Sequence, residues 1–416
     1  MHAPPTAVDP TTAAMAAPAP TPDHGDLALV LTGGGARGAY QVGFLRYLAR
    51  RFPELRIPVI TGVSAGAVNA AHLAQHPGTF PEAVSALVRL WISLAPERVF
   101  RVDAWSLAKN VGRWGAQLLS GGHFDGGRTR GFVDTDPLRE LLGHALGATR
   151  GELAGIRQNL ERGTLRAVAL STTSYTTGQS VIWVEGREIE TWTRPKRRSV
   201  QTNLRVEHIM ASAALPLFFP AIAIGREWYG DGGIRLTAPL SPALHLGANR
   251  ILAISTRFDR SQADADLPEI AGYPPPAQVV GVLYNAIFLD LLDQDVVRLE
   301  RMNRVLRKIP PEARDGMRVV DMMILRPSRD LGRIAGEYEP RLPGLFRFLT
   351  RGFGTRNTSS PDILSLLMFQ DDYIRRLIEL GEADAEAQAD VIVPFIASDR
   401  AATRASRAQA GQPDIA

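Results

Sequence analysis

A chain of 416 residues, 45% of them hydrophobic, is long enough to bury a sizeable core, and length alone predicts two or three domains. It has no cysteine, which excludes disulfides and thiolate metal sites and fits a reducing compartment. The formal net charge is only +4, and no basic-aromatic stacking motif accompanies it, so nucleic acid is not an expected partner.

Residues 1–25 are rich in Ala, Pro and Thr and lack the basic start and apolar core of a secretory signal. They read as a disordered leader, and residues 397–416 as a similar tail. Asp26 to Thr32 is a short apolar run ending in glycine, which predicts a strand buried on both faces. Ala39 to Arg51 has helical spacing, with Val42, Leu45, Leu48 and Ala49 on one side. Ile57 to Thr61 is the second strand, and Ser64 to His76 begins the next helix. This alternation predicts an α/β fold, three layers deep, with a mainly parallel sheet between helices.

Phe80 to Leu94 is a further helix. Trp105, Trp114 and the glycines at 121, 122, 126 and 127 mark a loop-rich excursion. Asp136-Pro137 opens a helix through Leu146, with the aspartate as N-cap. Leu165 to Ser171, Ser180 to Glu185 and Arg250 to Ser255 read as strands. The uncharged run Ile209 to Gly225 covers 17 residues and is interrupted by Pro216 and Pro220. It is too short and too broken to span a membrane and reads as buried core and site wall. After a Gly/Pro-rich break at Ala271 to Pro276, Gln278 to Arg307 reads as one long helix and Val319 to Leu325 as a strand joining the same sheet. Pro343 to Leu380 reads as mostly helical, with a loop at Gly352 to Ser360.

Two strand-to-helix turns carry the candidate chemistry. Gly62-Val63-Ser64-Ala65-Gly66 matches G-x-S-x-G at the turn where a nucleophile elbow places its serine. The same turn without chemistry is the plainer reading of the motif alone. Gly33-Gly34-Gly35-Ala36-Arg37-Gly38 satisfies G-x-G-x-x-G, the dinucleotide fingerprint. That fingerprint expects an acid at the end of the second strand, and Thr61-Gly62-Val63-Ser64 supplies none. A phosphate-binding Walker loop fails too, because no Gly-Lys-Ser/Thr follows. The other reading is an oxyanion hole, in which unobstructed glycine N–H groups converge on one oxygen. Arg37 would then pair with a carboxylate or meet an anionic head group.

A serine nucleophile needs a proton acceptor. The chain has eight histidines, and only His245 follows Asp231 in the order Ser, Asp, His. It sits in what reads as a packed helix. Asp231-Gly232-Gly233 is the stronger candidate, although alone it is an ordinary Asp-Gly turn.

The three motifs in this order resemble the patatin-like phospholipases. Ala211 to Pro220 and Asp134 to Leu141 look like further segments of that family. The resemblance covers Leu27 to Leu246, and the part after Ser261 resembles the helical extension of bacterial members, so residues 247–396 are expected to form a C-terminal strand and helical extension. It implies a catalytic domain at 27–246 with that extension packed on the same core. It further implies that Ser64 attacks a fatty-acyl ester, that Asp231 is the sole base of a Ser-Asp dyad, and that Gly33 to Gly38 supply the oxyanion hole. Gly62, Gly66, Gly232 and Gly233 complete the motifs. No cofactor and no metal is required. The implied activity is a serine lipid acyl hydrolase of the phospholipase A or carboxylesterase type. An acyltransferase or thioesterase with the same dyad is one alternative, and a nucleotide-binding module using the glycine run is another.

The expected partner is a lipid or fatty-acyl ester and the expected location cytoplasmic, with peripheral membrane contact as a further option. Arg187, Arg194, Lys196, Arg197, Arg198 and Arg205, near Trp183 and Trp192, form either a membrane-facing edge or a solvated hairpin.

Overall fold

A computed structural model of the chain describes residues 27–101, 133–216, 218–259, 273, 276–288, 291–339 and 362–397. The leader, the tail beyond residue 397, the excursion around Trp105 and Trp114 and the Gly352 to Ser360 loop lie outside the described residues.

Ten strands among the described residues form one mixed sheet. They are β1 (Leu27–Leu31), β2 (Val59–Val63), β3 (Ala167–Ser174), β4 (Ser180–Gly186), β5 (Thr193–Arg194), β6 (Arg197–Gln201), β7 (Ile222–Ile224), β8 (Glu227–Asp231), β9 (Arg250–Ile254) and β10 (Asp321–Leu325). The order is β10-β9-β1-β2-β3-β4-β6-β5, with β8 beside the end of β3 and β7 beside β8. From β10 to β3 all pairs are parallel. The antiparallel pairs are β3–β4, β3–β8, β7–β8 and β5–β6.

Helices cover both faces. The principal ones are α1 (Gly38–Arg51), α2 (Ala65–Gln75), α3 (Phe80–Ile92), α4 (Asp136–Ala145), α5 (Ala154–Glu161), α6 (Val206–Ser212), α7 (Ser241–His245), α8 (Pro276–Phe288), α9 (Leu291–Leu306), α10 (Leu331–Tyr338), α11 (Asp362–Leu367) and α12 (Asp371–Ala387). The period of two along β1 shows why the sheet has two covered faces. Leu27, Leu29 and Leu31 enter the larger core with α1, α3 and α12, and Ala28 and Val30 enter a second core with α7 and α9. The same alternation buries Trp183 on one face of β4 and Ile182 on the other.

Local chemistry sets the helix starts. Thr79 and Glu82 form a reciprocal capping box ahead of α3, with Thr79 N–H donating to Glu82 at 2.7 Å. At α4 the cap is Thr135, one residue before the expected Asp136, and the Asp136 N–H donates to the Asp134 carboxylate at 2.9 Å. The long helix expected from 278 falls on α8 and α9, and residues 289 and 290 between them lie outside the described residues. β10 pairs in parallel with β9, as expected for a strand of the same sheet. Of the apolar run 209–225, residues 209–212 end α6 and 222–224 form β7. No described helix is long and apolar enough to cross a membrane.

Candidate active site

The site lies where β1 and β2 end. Ser64 leaves β2 with φ 56° and ψ −128° and is the N-cap of α2. A non-glycine residue in this region carries about 1–3 kcal/mol of strain, which the surroundings must hold in place. Two bonds do so in series: Ser64 N–H donates to Ser212 Oγ at 3.0 Å, and Ser212 Oγ–H donates to Ser171 O at 2.7 Å. Ser212 lies inside the Ala211 to Pro220 segment, but nothing in the sequence pointed to its hydroxyl. The helix N-terminus behind Ser64 favours negative charge at its side chain.

Close approach explains the glycine two residues on. A Cβ at Gly66 would overlap the carbonyl oxygens of Leu31 and Thr32. Gly66→Ala is therefore expected to cost about 1–3 kcal/mol, as overpacking does. Chemical denaturation reads this directly, and an unchanged midpoint would mean that α2 can move off β1 freely.

Asp231 ends β8 and is fully buried. Its N–H donates to Ala214 O at 3.1 Å, its carbonyl accepts from Thr173 Oγ1 at 2.8 Å, and its Oδ1 accepts from Gly233 N–H at 2.8 Å. Gly232 packs directly on the Ser171 carbonyl. The Ser64 hydroxyl lies beside the carboxylate. The contact is looser than a standard hydrogen bond, since Oδ2 is buried without a partner of good geometry among the described residues. Catalytic hydrogen bonds are often long before substrate binds. Burial pushes the Asp231 carboxyl up to about 7, while Ser64 and the Gly233 N–H pull it back down.

The glycine run faces Ser64. A Cβ at Gly33 would lie 3.0 Å from Ser64 Cβ, and Thr256 Oγ1 holds the Gly33 carbonyl at 2.6 Å. The N–H groups of Arg37 and Gly38 are engaged with the carbonyls of Gly34 and of Gly35 and Ala36. Within the expected set Gly33 to Gly38, these two N–H groups are therefore already paired inside the loop. Gly35 adopts φ 55° and packs so closely on the Leu366 carbonyl that a side chain would overlap it. The loop is thus covered by α11 at Gly35.

Arg37 is 3% exposed and points away from solvent. It bonds Asp362 at 2.5 Å and Ser365 Oγ at 2.6 Å, and Asp362 also accepts from Asn285 Nδ2 at 2.6 Å. Of its two expected roles, the structure shows the carboxylate pair.

An apolar cavity with about 50 Å³ of room opens at Ser64. Val68, Leu90, Trp91 and Leu142 line it from the α2–α4 side, Ala213, Leu215 and Phe219 from the 209–225 run, and Leu366, Leu367 and Phe369 from α11 and beyond. The sequence marked the 209–225 run as site wall but did not point to α11.

The described histidines lie elsewhere. His245 stacks on Trp192 at 4.5 Å between centroids. His72 and His208 are buried, and burial pushes both down to about 4. Among the described residues no histidine bonds to Ser64 or Asp231. The basic cluster also divides: Arg187 and Arg205 lie at the opposite end of the sheet, where Arg205 pairs with Glu152 and Glu207.

The family model described as patatin-like phospholipase matches residues 29–244, just over half of the chain. The matched span holds the glycine run, Ser64 and Asp231. The chain belongs to the patatin-like phospholipase family, whose fold is the mixed, helix-flanked sheet described above. Among solved structures it is similar to human GIVD cytosolic phospholipase A2 in complex with methyl gamma-linolenyl fluorophosphonate, at 15% identity and a TM-score of 0.42. That match covers 91% of this chain and 60% of the human one. It is also similar to VipD from Legionella pneumophila, at 13% identity and a TM-score of 0.36, covering 90% of this chain and 67% of that one. No curated protein sequence matches the chain.

Proposed function

We propose that the protein is a serine lipid acyl hydrolase working through a Ser64–Asp231 dyad. The observation that carries this reading is the placement of a strained, buried Ser64 between a buried carboxylate and an apolar cavity. In the first step Ser64 Oγ attacks the ester carbonyl as its proton passes to Asp231. Negative charge gathers on the carbonyl oxygen, where N–H groups drawn from Gly33 to Ala36 and the start of α2 stabilise it; each such donor is typically worth about 3 kcal/mol. Asp231 returns the proton to the leaving alcohol. Water then hydrolyses the acyl-enzyme through the same groups in reverse. The apolar cavity receives the acyl chain.

A carboxylate at its ordinary pKa is a poor base for a serine hydroxyl. Burial of Asp231 strengthens it and brings its pKa close to neutral, where a general base works best. The expected location is the cytoplasm, with contact to membrane lipid at the periphery. An acyltransferase or thioesterase would use the same first half-reaction, and the acceptor that resolves the acyl-enzyme decides between them.

A fluorophosphonate probe followed by mass spectrometry tests the nucleophile. Labelling is expected on Ser64 alone and is expected to disappear in Ser64→Ala. Labelling of another serine would remove the assignment.

A further inference from the structure

The rim of the site combines two features. Helix α8 carries no charged residue in 13 positions, yet one side of it meets solvent. Val279 is 48% exposed, Val282 56% and Leu283 55%, and Ala286 continues the same face. The opposite side is built into the site. Tyr284 is buried and its hydroxyl donates to Pro216 O at 2.6 Å, Asn285 holds Asp362, and the helix packs on the turn that follows Asp231. Contiguous apolar surface beside a binding site marks a docking face.

The second feature is charge. Arg197 is in register with Ser180, Ser180 with Thr173, and Thr173 with Gly230, so the β5–β6 turn shares the end of the sheet that holds Asp231. The three turns 175–180, 193–198 and 224–228 contain five basic residues, Arg194, Lys196, Arg197, Arg198 and Arg226, and one acid, Glu227, which pairs with Arg198 at 3.0 Å. Trp228 and Tyr175 stand exposed among them. Arg235, at the end of the turn that α8 touches, reaches the 175–180 turn at Gly178 and makes the rim continuous.

We infer that this rim docks the protein on an anionic lipid bilayer, with the α8 face entering the acyl-chain boundary and the basic turns meeting headgroup phosphates. The inference rests on the reading of the site as a lipid acyl hydrolase, because docking sets the cavity mouth over the esters. Charge complementarity selects this occupant over a second copy: five basic residues against one acid match anionic headgroups, whereas a second copy brings the same excess of positive charge.

The full chain and the double variant Val282→Glu/Leu283→Glu are compared by co-sedimentation with phosphatidylcholine vesicles, with and without about 30% phosphatidylglycerol. In parallel, turnover of a water-soluble short-chain ester is followed. Wild type is expected to prefer the anionic vesicles and to lose that preference in high salt. The double variant is expected to bind at least about tenfold more weakly, with soluble-ester turnover within about twofold of wild type. Equal vesicle binding by the two proteins overturns the inference, as does a wild-type dimer that the double variant dissociates. Wild type that binds anionic vesicles as expected but turns over no ester leaves the docking face standing and removes the hydrolase reading.

Discussion

Replacing Asp231 with asparagine is expected to lower ester turnover on the order of 10³- to 10⁴-fold while leaving the fold intact. Asparagine keeps the acceptor for the Gly233 N–H and the volume of the side chain, but it cannot take the Ser64 proton. The pH profile follows from the same group. Asp231 must be ionised to act as base, so kcat/KM of the wild type is expected to rise with pH through about 7. The substitution should remove that limb along with the activity. Retention of more than about a tenth of the turnover would transfer the role of base to another group.

The stability effect has the opposite sign. The folded-state pKa of Asp231 is raised from 3.8 to about 7. Its contribution to stability is therefore fully present below about pH 4 and is lost as pH rises through 7, because the unfolded chain ionises first. A shift of this size corresponds to about 4 kcal/mol as an upper bound. Asp231→Asn is thus expected to be more stable than wild type at pH 8, with the difference shrinking toward pH 4. Thermal melts across that range measure it, and a variant less stable than wild type at pH 8 would contradict the burial argument.

Asp362→Ala is the second large effect, expected at about 3–5 kcal/mol of lost stability. It strands the buried Arg37 cation, which otherwise shares Asp362 with Asn285. Asp362→Asn should recover part of the loss, since Arg37 and Asn285 keep a hydrogen-bonding neighbour. Because Arg37 follows the candidate oxyanion donors directly, the alanine variant should also lower kcat on a soluble ester more than it raises KM. Urea denaturation and steady-state kinetics check both parts. A loss under about 1 kcal/mol with full kcat would reduce the pair to an incidental contact.

What could be read from the sequence divides by range. β1, β9 and the helices at 38–51, 65–75 and 80–92 were legible because apolar runs and periodicity are local signals. β2 begins at Val59, two residues after the expected start, just past Pro58, which has no N–H to give a ladder. At the site, Ser64 and Asp231 were marked by glycine-flanked motifs. Ser212, Thr256 and Asp362 carry no such mark. Each acts through a partner tens to hundreds of residues away, and a lone hydroxyl or carboxylate looks the same in sequence wherever it points.

The order of synthesis gives the late partners a consequence. A nascent chain displays Ser64, the glycine run and Asp231 once Asp231 has emerged, but Asp362 lies 131 residues further on. Until then Arg37 has no counter-ion, Gly35 has no Leu366 carbonyl against it, and one wall of the cavity is absent. The cavity wall is therefore incomplete until α11 and α12, which packs along α1, have been synthesised, so a chain still on the ribosome carries Ser64 and Asp231 without the finished cavity.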